Sequence, residues 1–445
     1  MAQNRFRKRL EADQFVVTFE CVPGRGAFER EQRELERGMA DVWSCNRLDA
    51  LTFADSPSGR ASCAPEGFSA LAASQGITPI NFLTCKDKNR NELEARLWTL
   101  ERAGVENVLC MSGDYPTRGW SGVPRAVYDL GSVELLSLVN AMDQGLAVPG
   151  QRGRMQRLAP AHFFPGCAVS PFKHTQAERE LQIMKLLRKQ QAGARFAVCQ
   201  IGYDLTRLEE FLREARGEGV AIPLIANVYV LTPAIAQVMA QGRIPGCDVS
   251  SQMAARLAVE KDVHPTDWRE AHYARAGKTM AALRGMGFNG VHLAGLPLSG
   301  QVVSYVLDVA DAYHGDWRRA AADVTAELGT ATPPSRDSAD QLPPQDFPPR
   351  CGMEALRMLR RVTGFDPRDT AGVGLGTIAG LYPIVDCPKH EGVGPCGGSR
   401  DGWCEVHPGE RLCIWYEAWR RLAEQGREGE LFSVDAAPLS WGVPR

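Results

Sequence analysis

Eight short apolar runs punctuate the first three hundred or so residues, and each is followed by a stretch of helical character. The runs cover residues 15–22, 48–53, 77–85, 105–111, 163–169, 196–203, 222–231 and 288–293. Near-continuous apolar runs of this length suit strands buried on both faces, which is the condition of a parallel sheet. Between them, residues 92–103 carry Leu93, Leu97 and Leu100 at helical spacing. Residues 174–192 open on Thr175 with Glu178 three positions on, a capping-box pattern, and Gly193 follows their end. Residues 208–218 and 271–285 continue the alternation. Eight such units predict an α/β fold, a (β/α)₈ TIM barrel over residues 1–329. A doubly wound open sheet is the alternative, and strand counting does not separate the two.

The stretch 115–162, between the fourth and fifth runs, is a long excursion whose Gly/Arg-rich part, 150–157, reads as surface. Residues 330–349 hold six prolines among Ser, Asp and Gln and read as a linker. Residues 350–445 form a second, cysteine-rich unit, small enough for a metal staple to be useful.

Charge narrows the function classes. Lysine and arginine number 51 and aspartate and glutamate 53, a net charge of −2, so neither a nucleic acid nor an anionic membrane is an expected partner. No stretch has the apolar length of a membrane span. Residues 1–14 are polar and basic, without a signal peptide's apolar segment, so the protein is expected in the cytoplasm. An odd count of thirteen cysteines in that compartment argues against a disulfide framework. Cys21, Cys85, Cys110, Cys167 and Cys199 lie in apolar runs and read as buried core.

Barrel chemistry sits where strands end. The first run ends on Glu20, between Phe19 and Cys21. A carboxylate there is costly without a partner, and desolvation raises its pKa toward what a general acid needs; a salt bridge to an arginine is the equal alternative. The fourth run ends on Gly113 and Asp114, where glycine admits close backbone approach. A turn or cap aspartate is the plainer reading of Asp114. The third ends near Thr84, and the sixth carries Gln200 and Tyr203. Gln200 in an apolar run needs hydrogen-bond partners, from a ligand or from backbone.

Taken in order, these landmarks resemble the methylenetetrahydrofolate reductase family along residues 14 to about 312: Thr-Phe-Glu20, Leu-Thr-Cys85, Gly113-Asp114, Leu-Arg188-Lys189 before Ala-Gly193-Ala, and Gln200 with Asp204. The resemblance implies a flavin oxidoreductase that takes hydride from NAD(P)H onto FAD. The hydride then passes to 5,10-methylenetetrahydrofolate, giving 5-methyltetrahydrofolate. It implies Glu20 as the acid that opens the folate ring and Asp114 beside the flavin and folate rings. Gln200 and Tyr203 would contact folate. Thr52, Thr84, Gly113 and Asp114 would lie along the flavin, with Arg188 and Lys189 on its ADP portion. Basic side chains hold phosphate through charge-assisted hydrogen bonds; a solvated helix face is the plainer reading of the pair. Three flavin-side positions depart from the family pattern: Phe82 stands for histidine, Ser112 for arginine, and Val-Ser-Pro171 for Tyr-Pro-Glu. They keep a second reading open, a methyl-transfer or partner-dependent folate protein supplied with electrons by another subunit. A non-catalytic scaffold is a third. A homo-oligomer, or a redox or methyltransferase partner, is the assembly expected.

Beyond the linker, Cys387, Cys396, Cys404 and Cys413 fall in a turn-rich segment. Four such thiolates suit tetrahedral zinc or an iron–sulfur cluster, with His390 and His407 in reserve. The Cys-Pro-Lys and Gly-Pro-Cys-Gly-Gly pieces resemble the cysteine-rich C-terminal domain found on some methylenetetrahydrofolate reductases. Gly372-Val-Gly374-Leu-Gly376 reads as a structural loop rather than a dinucleotide fingerprint. Residues 412–425 read as a final helix, with Trp415, Tyr416 and Trp419 as core.

Overall fold

A computed structural model describes residues 4–116, 122–151, 154–242, 244, 246–247, 249–328 and 373–433. The eight apolar runs are eight strands: β1 Val16–Cys21, β2 Ala50–Phe53, β3 Pro79–Thr84, β4 Asn107–Met111, β5 Phe164–Val169, β6 Phe196–Cys199, β7 Leu224–Tyr229 and β8 Gly290–Ala294. All pair in parallel, and β1 pairs with both β2 and β8, which closes the barrel and excludes the open sheet. The expected sixth run overshoots: β6 stops at Cys199, so Gln200 and Tyr203 lie on the loop beyond it.

The helices are α1 Arg5–Glu11, α2 Arg30–Ser44, α3 Pro65–Ser74, α4 Arg90–Arg102, α5 Ser132–Asp143, α6 Gln176–Gln191, α7 Leu205–Gly217, α8 Pro233–Ala240, α9 Ser251–Val263, α10 Trp268–Met286, α11 Gly300–Ala312 and α12 Trp317–Leu328. α5 and a hairpin of Ala147–Pro149 with Met155–Arg157 occupy the long excursion. Among the described residues, no helix is long and apolar enough to cross a membrane.

The polar N-terminal stretch holds more than its composition suggested. Phe6 and Leu10, one helical turn apart on α1, enter the barrel's inner cluster with Ile80, Leu109 and Ile225. The Phe6 ring meets Phe196 at 5.0 Å and Phe164 at 6.2 Å, edge to face. α1 therefore plugs the end of the barrel opposite the C-terminal strand ends.

The expected linker at 330–349 lies outside the described residues. The C-terminal unit resumes with α13 Val373–Ala379, α14 Pro383–Asp386, α15 Ile414–Ala423 and α16 Glu430–Ser433. α13 corrects the reading of Gly374 and Gly376 as a loop. Among the described residues, the unit's main apolar cluster is shared with the barrel. Leu375, Leu381, Ile414, Trp415, Ala418, Leu422 and Leu431 cluster round Leu181 and Met184 of α6. Burying each such side chain stabilises by about 1.5–3 kcal/mol, so the unit is held to the barrel by the hydrophobic effect.

α6 explains how. Its Thr175 cap accepts from the Glu178 amide at 3.2 Å, as its capping box predicted. Yet Glu178, Gln182, Lys185, Arg188 and Lys189 are all buried with its apolar residues. Burying charges is expensive without partners, and most of the partners come from the C-terminal unit. Lys185 pairs with Glu391 at 2.6 Å, and Ser399 donates to Glu178 at 2.6 Å. Before the helix, Lys173 donates to the Gly397 carbonyl at 2.6 Å, and His174 meets Asp401 at 2.7 Å.

Candidate functional site

Side chains alternate along each strand, and those level with Val16, Ala50, Ile80, Leu109 and Ile225 point into the barrel. The same faces of β1 and β2 then carry Glu20 and Thr52, which stand opposite each other in register at the mouth. Glu20 makes no side-chain hydrogen bond or ion pair among the described residues, and burial alone pushes its pKa up to about 7. The arginine salt bridge is thus excluded within the described residues. The Thr52 hydroxyl is buried without a hydrogen-bond partner among the described residues. Nearby, burial and the Glu20 charge push the Tyr229 phenol up to about 12. Below it, His292 meets the Thr18 hydroxyl at 2.9 Å and is held down to about 4 by burial, hence neutral.

Across the mouth, a cleft of about 610 Å³, open solvent included, is lined by Gly113, Asp114, Ser170, Lys189 and Gln200 from the barrel. Lys389, Cys396, Gly397, Gly398 and Glu405 line it from the C-terminal unit. The Asp114 carboxylate accepts from the Ser58 amide at 2.8 Å. Burial raises its pKa, Lys389 opposes the rise, and Glu405 adds to it. Gly113 has φ +85°, and a Cβ there would lie 2.9 Å from Thr84 Cβ, so the turn needs glycine. Gln200 lines this cleft while its amide oxygen accepts from its neighbour Ile201 at 2.9 Å.

The structure separates the remaining expected site residues. Tyr203 donates to the Tyr229 carbonyl at 2.8 Å and lines a different cleft, behind β7 beside α9 and α10, so it does not join Gln200. The Thr84 hydroxyl donates to Asp55 at 2.7 Å, and Lys88 pairs with the same carboxylate at 2.8 Å. Thr84 therefore belongs to a buried network and does not aim at a ligand. Asp55 and Lys88 were missed. Their signal was present in Phe-Ala-Asp55 and Thr-Cys-Lys-Asp-Lys88, charged residues directly after strands. Phe82 leans on His292 at 6.1 Å, and Ser112 faces the Ser132 hydroxyl at 3.4 Å.

The basic pair also divides. Arg188 donates to the Leu431 carbonyl at 2.6 Å and lies 5.7 Å from the Trp415 ring, so it docks the C-terminal unit. Burial draws it down to about 10. Lys189 does line the cleft, donates to the Ala168 carbonyl at 2.6 Å, and is drawn by burial down to about 8. Thr52, with its orphaned hydroxyl, suits a flavin or a folate ring. The ADP half of FAD does not fit as expected, because Arg188 is already bound.

Cys387, Cys396, Cys404 and Cys413 line one cleft of about 410 Å³, solvent space included, which shares Lys389, Cys396 and Glu405 with the mouth cleft. Two turns shape it: the His390 amide donates to the Cys387 carbonyl at 3.0 Å, and the His407 amide to that of Cys404 at 3.2 Å. Among the described residues, Cys387, Cys396, Cys404 and Cys413 form no disulfide. Among the described residues, no group of three or more Cys, His, Asp or Glu is arranged to hold a metal ion. Instead, Cys396 points at Glu405, 3.8 Å away, and backbone amides bind the Cys387 and Cys413 sulfurs. Zinc or an iron–sulfur cluster does not fit the cysteines as they stand. His407 faces Glu410 at 3.9 Å.

Fold and mouth together define a (β/α)₈-barrel protein with a polar cleft at its C-terminal strand ends, walled in part by an appended unit. Residues 5–308 match the methylenetetrahydrofolate reductase family, and residues 368–441 match the methylene-tetrahydrofolate reductase C-terminal domain. The chain belongs to the methylenetetrahydrofolate reductase family. A probable methylenetetrahydrofolate reductase (NADPH) of Caenorhabditis elegans is 25% identical over 165 residues, which cover 36% of this chain and 22% of that protein. The match thus spans about a fifth of that relative's length. Among solved structures, an uncharacterized Clostridium thermocellum protein that binds two copies of 5-methyl-5,6,7,8-tetrahydrofolic acid is 11% identical. The overlap covers 70% of this chain and 99% of that one, with a TM-score of 0.46. A 2,3-dimethylmalate lyase is 13% identical over 73% of this chain and 96% of its own, with a TM-score of 0.38.

Proposed function

We propose that the chain reduces 5,10-methylenetetrahydrofolate to 5-methyltetrahydrofolate. The observation that carries this is the partnerless Glu20 carboxyl at the barrel mouth, with its pKa raised to about 7 in a chain of this family. A carboxyl that keeps its proton near neutrality can give it to a ring nitrogen of the folate. The C–N bond to the bridging carbon then breaks, leaving an electrophilic iminium that accepts hydride at that carbon. Asp114, held by Ser58, and Gln200 line the cleft in which the pterin would be oriented. Membership of the family implies FAD and NAD(P)H as the hydride source, and Thr52, Gly113 and Lys189 are the residues left to meet the flavin. Because Arg188 is engaged, no step is assigned to it. A cytosolic homo-oligomer is the setting this reading assumes.

A second reading is favoured by the docking of Arg188 on Leu431: a folate-reducing subunit that receives electrons from a partner protein. One sample separates the two. A flavin spectrum bleached by NADH or NADPH and restored by methylenetetrahydrofolate sustains the first. A colourless protein that binds 5-methyltetrahydrofolate moves the conclusion to the second, and one that binds no folate refutes both.

A further inference from the structure

The mouth cleft and the cysteine cleft share Lys389. This lysine belongs to the appended unit, yet its ammonium donates 2.9 Å to the Gly113 carbonyl at the end of β4. It is buried at 4% exposure, so the contact is not an incidental surface one. Glu405 pairs with the same ammonium, and the Tyr128 ring lies beneath it at 5.8 Å. The Tyr128 hydroxyl donates to that same Gly113 carbonyl at 3.2 Å. Two donors therefore converge on one carbonyl, in a residue whose positive φ already sets the direction of the turn. The next residue is Asp114, whose carboxylate the Ser58 amide fixes from the other side.

We propose that Lys389 is a positioning residue of the folate site: it holds the Gly113 carbonyl and so fixes the strand end that carries Asp114. The claim rests on the folate reading above. It gives the C-terminal unit a part in the site itself, since the unit supplies both a wall of the cleft and the charge that sets one of its carboxylates. A hydrogen bond from a buried charged donor is worth enough to shift an equilibrium about tenfold.

The test measures the affinity of the purified full chain for 5-methyltetrahydrofolate by calorimetry, with a melting curve beside each titration. Lys389→Met is expected to weaken binding about tenfold. Tyr128→Phe, nearly isosteric, removes the second donor and is expected to weaken it by a smaller factor; it carries the test if Lys389→Met does not fold. Both are repeated in an Asp114→Asn background. If Lys389 acts through Asp114, neither has a further effect there, whereas general loss of fold weakens binding equally in both backgrounds. Equal weakening, or wild-type affinity in both single variants, overturns the proposal. Absence of binding by the wild-type chain overturns the folate reading and the proposal with it, while binding that both variants leave intact overturns the proposal alone.

Discussion

Replacing Glu20 by glutamine is expected to abolish folate reduction and, at alkaline pH, to stabilise the protein. The Glu20 pKa stands at about 7 in the folded chain against an ordinary 4.5. The folded state therefore binds its proton more firmly than the unfolded state does. Such a group favours folding fully below about pH 4.5, and the benefit is lost as pH rises through 7. At about 1.4 kcal/mol per tenfold change in acidity, folding becomes roughly 3 kcal/mol less favourable at pH 8 than at pH 4. The side chain is partly exposed at the mouth, so solvent screening makes this an upper figure. Glutamine keeps the shape and does not titrate. The stability of Glu20→Gln relative to wild type should then grow from near zero at pH 4 to about 1–3 kcal/mol at pH 8. Urea unfolding of both proteins across that range measures it. A difference that stays flat, or that favours the variant only in acid, would show that Glu20 has a partner and no raised pKa.

Other outcomes follow from particular contacts. Lys185→Met should cost about 3–5 kcal/mol, because it strands Glu391 in the interface, and the Lys185→Met/Glu391→Met pair should recover much of that loss in denaturant titrations. Phe6→Ala should cost about 3–5 kcal/mol in urea unfolding while leaving the KM for folate unchanged, since α1 plugs the far end of the barrel. Thr52→Val removes an orphaned hydroxyl, so the melting temperature should hold or rise slightly while ligand affinity falls; a lower melting temperature would mean the hydroxyl is bonded in the folded protein.

The strands were legible because their burial on both faces writes itself as uninterrupted apolar runs, and α6 because Thr175 and Glu178 mark its start. Closure was not legible, since the pairing of β1 with β8 is a contact between distant segments and leaves no local mark. α1 was hidden for a different reason. Two apolar residues, Phe6 and Leu10, suffice to plug the barrel, too few to show as a periodic pattern. In the site, a sequence shows that a residue is polar but not what faces it. Glu20 read equally as an acid or as half of an ion pair until its surroundings were known. Arg188 and Lys189 are adjacent and alike in charge, yet a 100° step around the helix sends one to Leu431 and the other to the cleft. The four cysteines line one cleft without forming a metal-holding group among the described residues. The Cys396 sulfur faces Glu405 and those of Cys387 and Cys413 face backbone amides, which spacing along the chain cannot reveal.

The seam between barrel and appended unit has a consequence for how the protein is made. Lys185 and Glu391 are 206 positions apart, and Gly113 and Lys389 are 276 apart. A ribosome delivers the barrel strands well before either partner emerges, and domains tend to fold in that order. During that interval α6 displays Leu181, Met184 and several uncompensated charges to solvent, and the cleft stands open on one side. The growing chain would pass through a stage that is shaped like an enzyme but has no finished pocket, with its stickiest helix uncovered. These later segments both shield that helix and complete the cleft wall, so maturation and protection from aggregation coincide in one docking event.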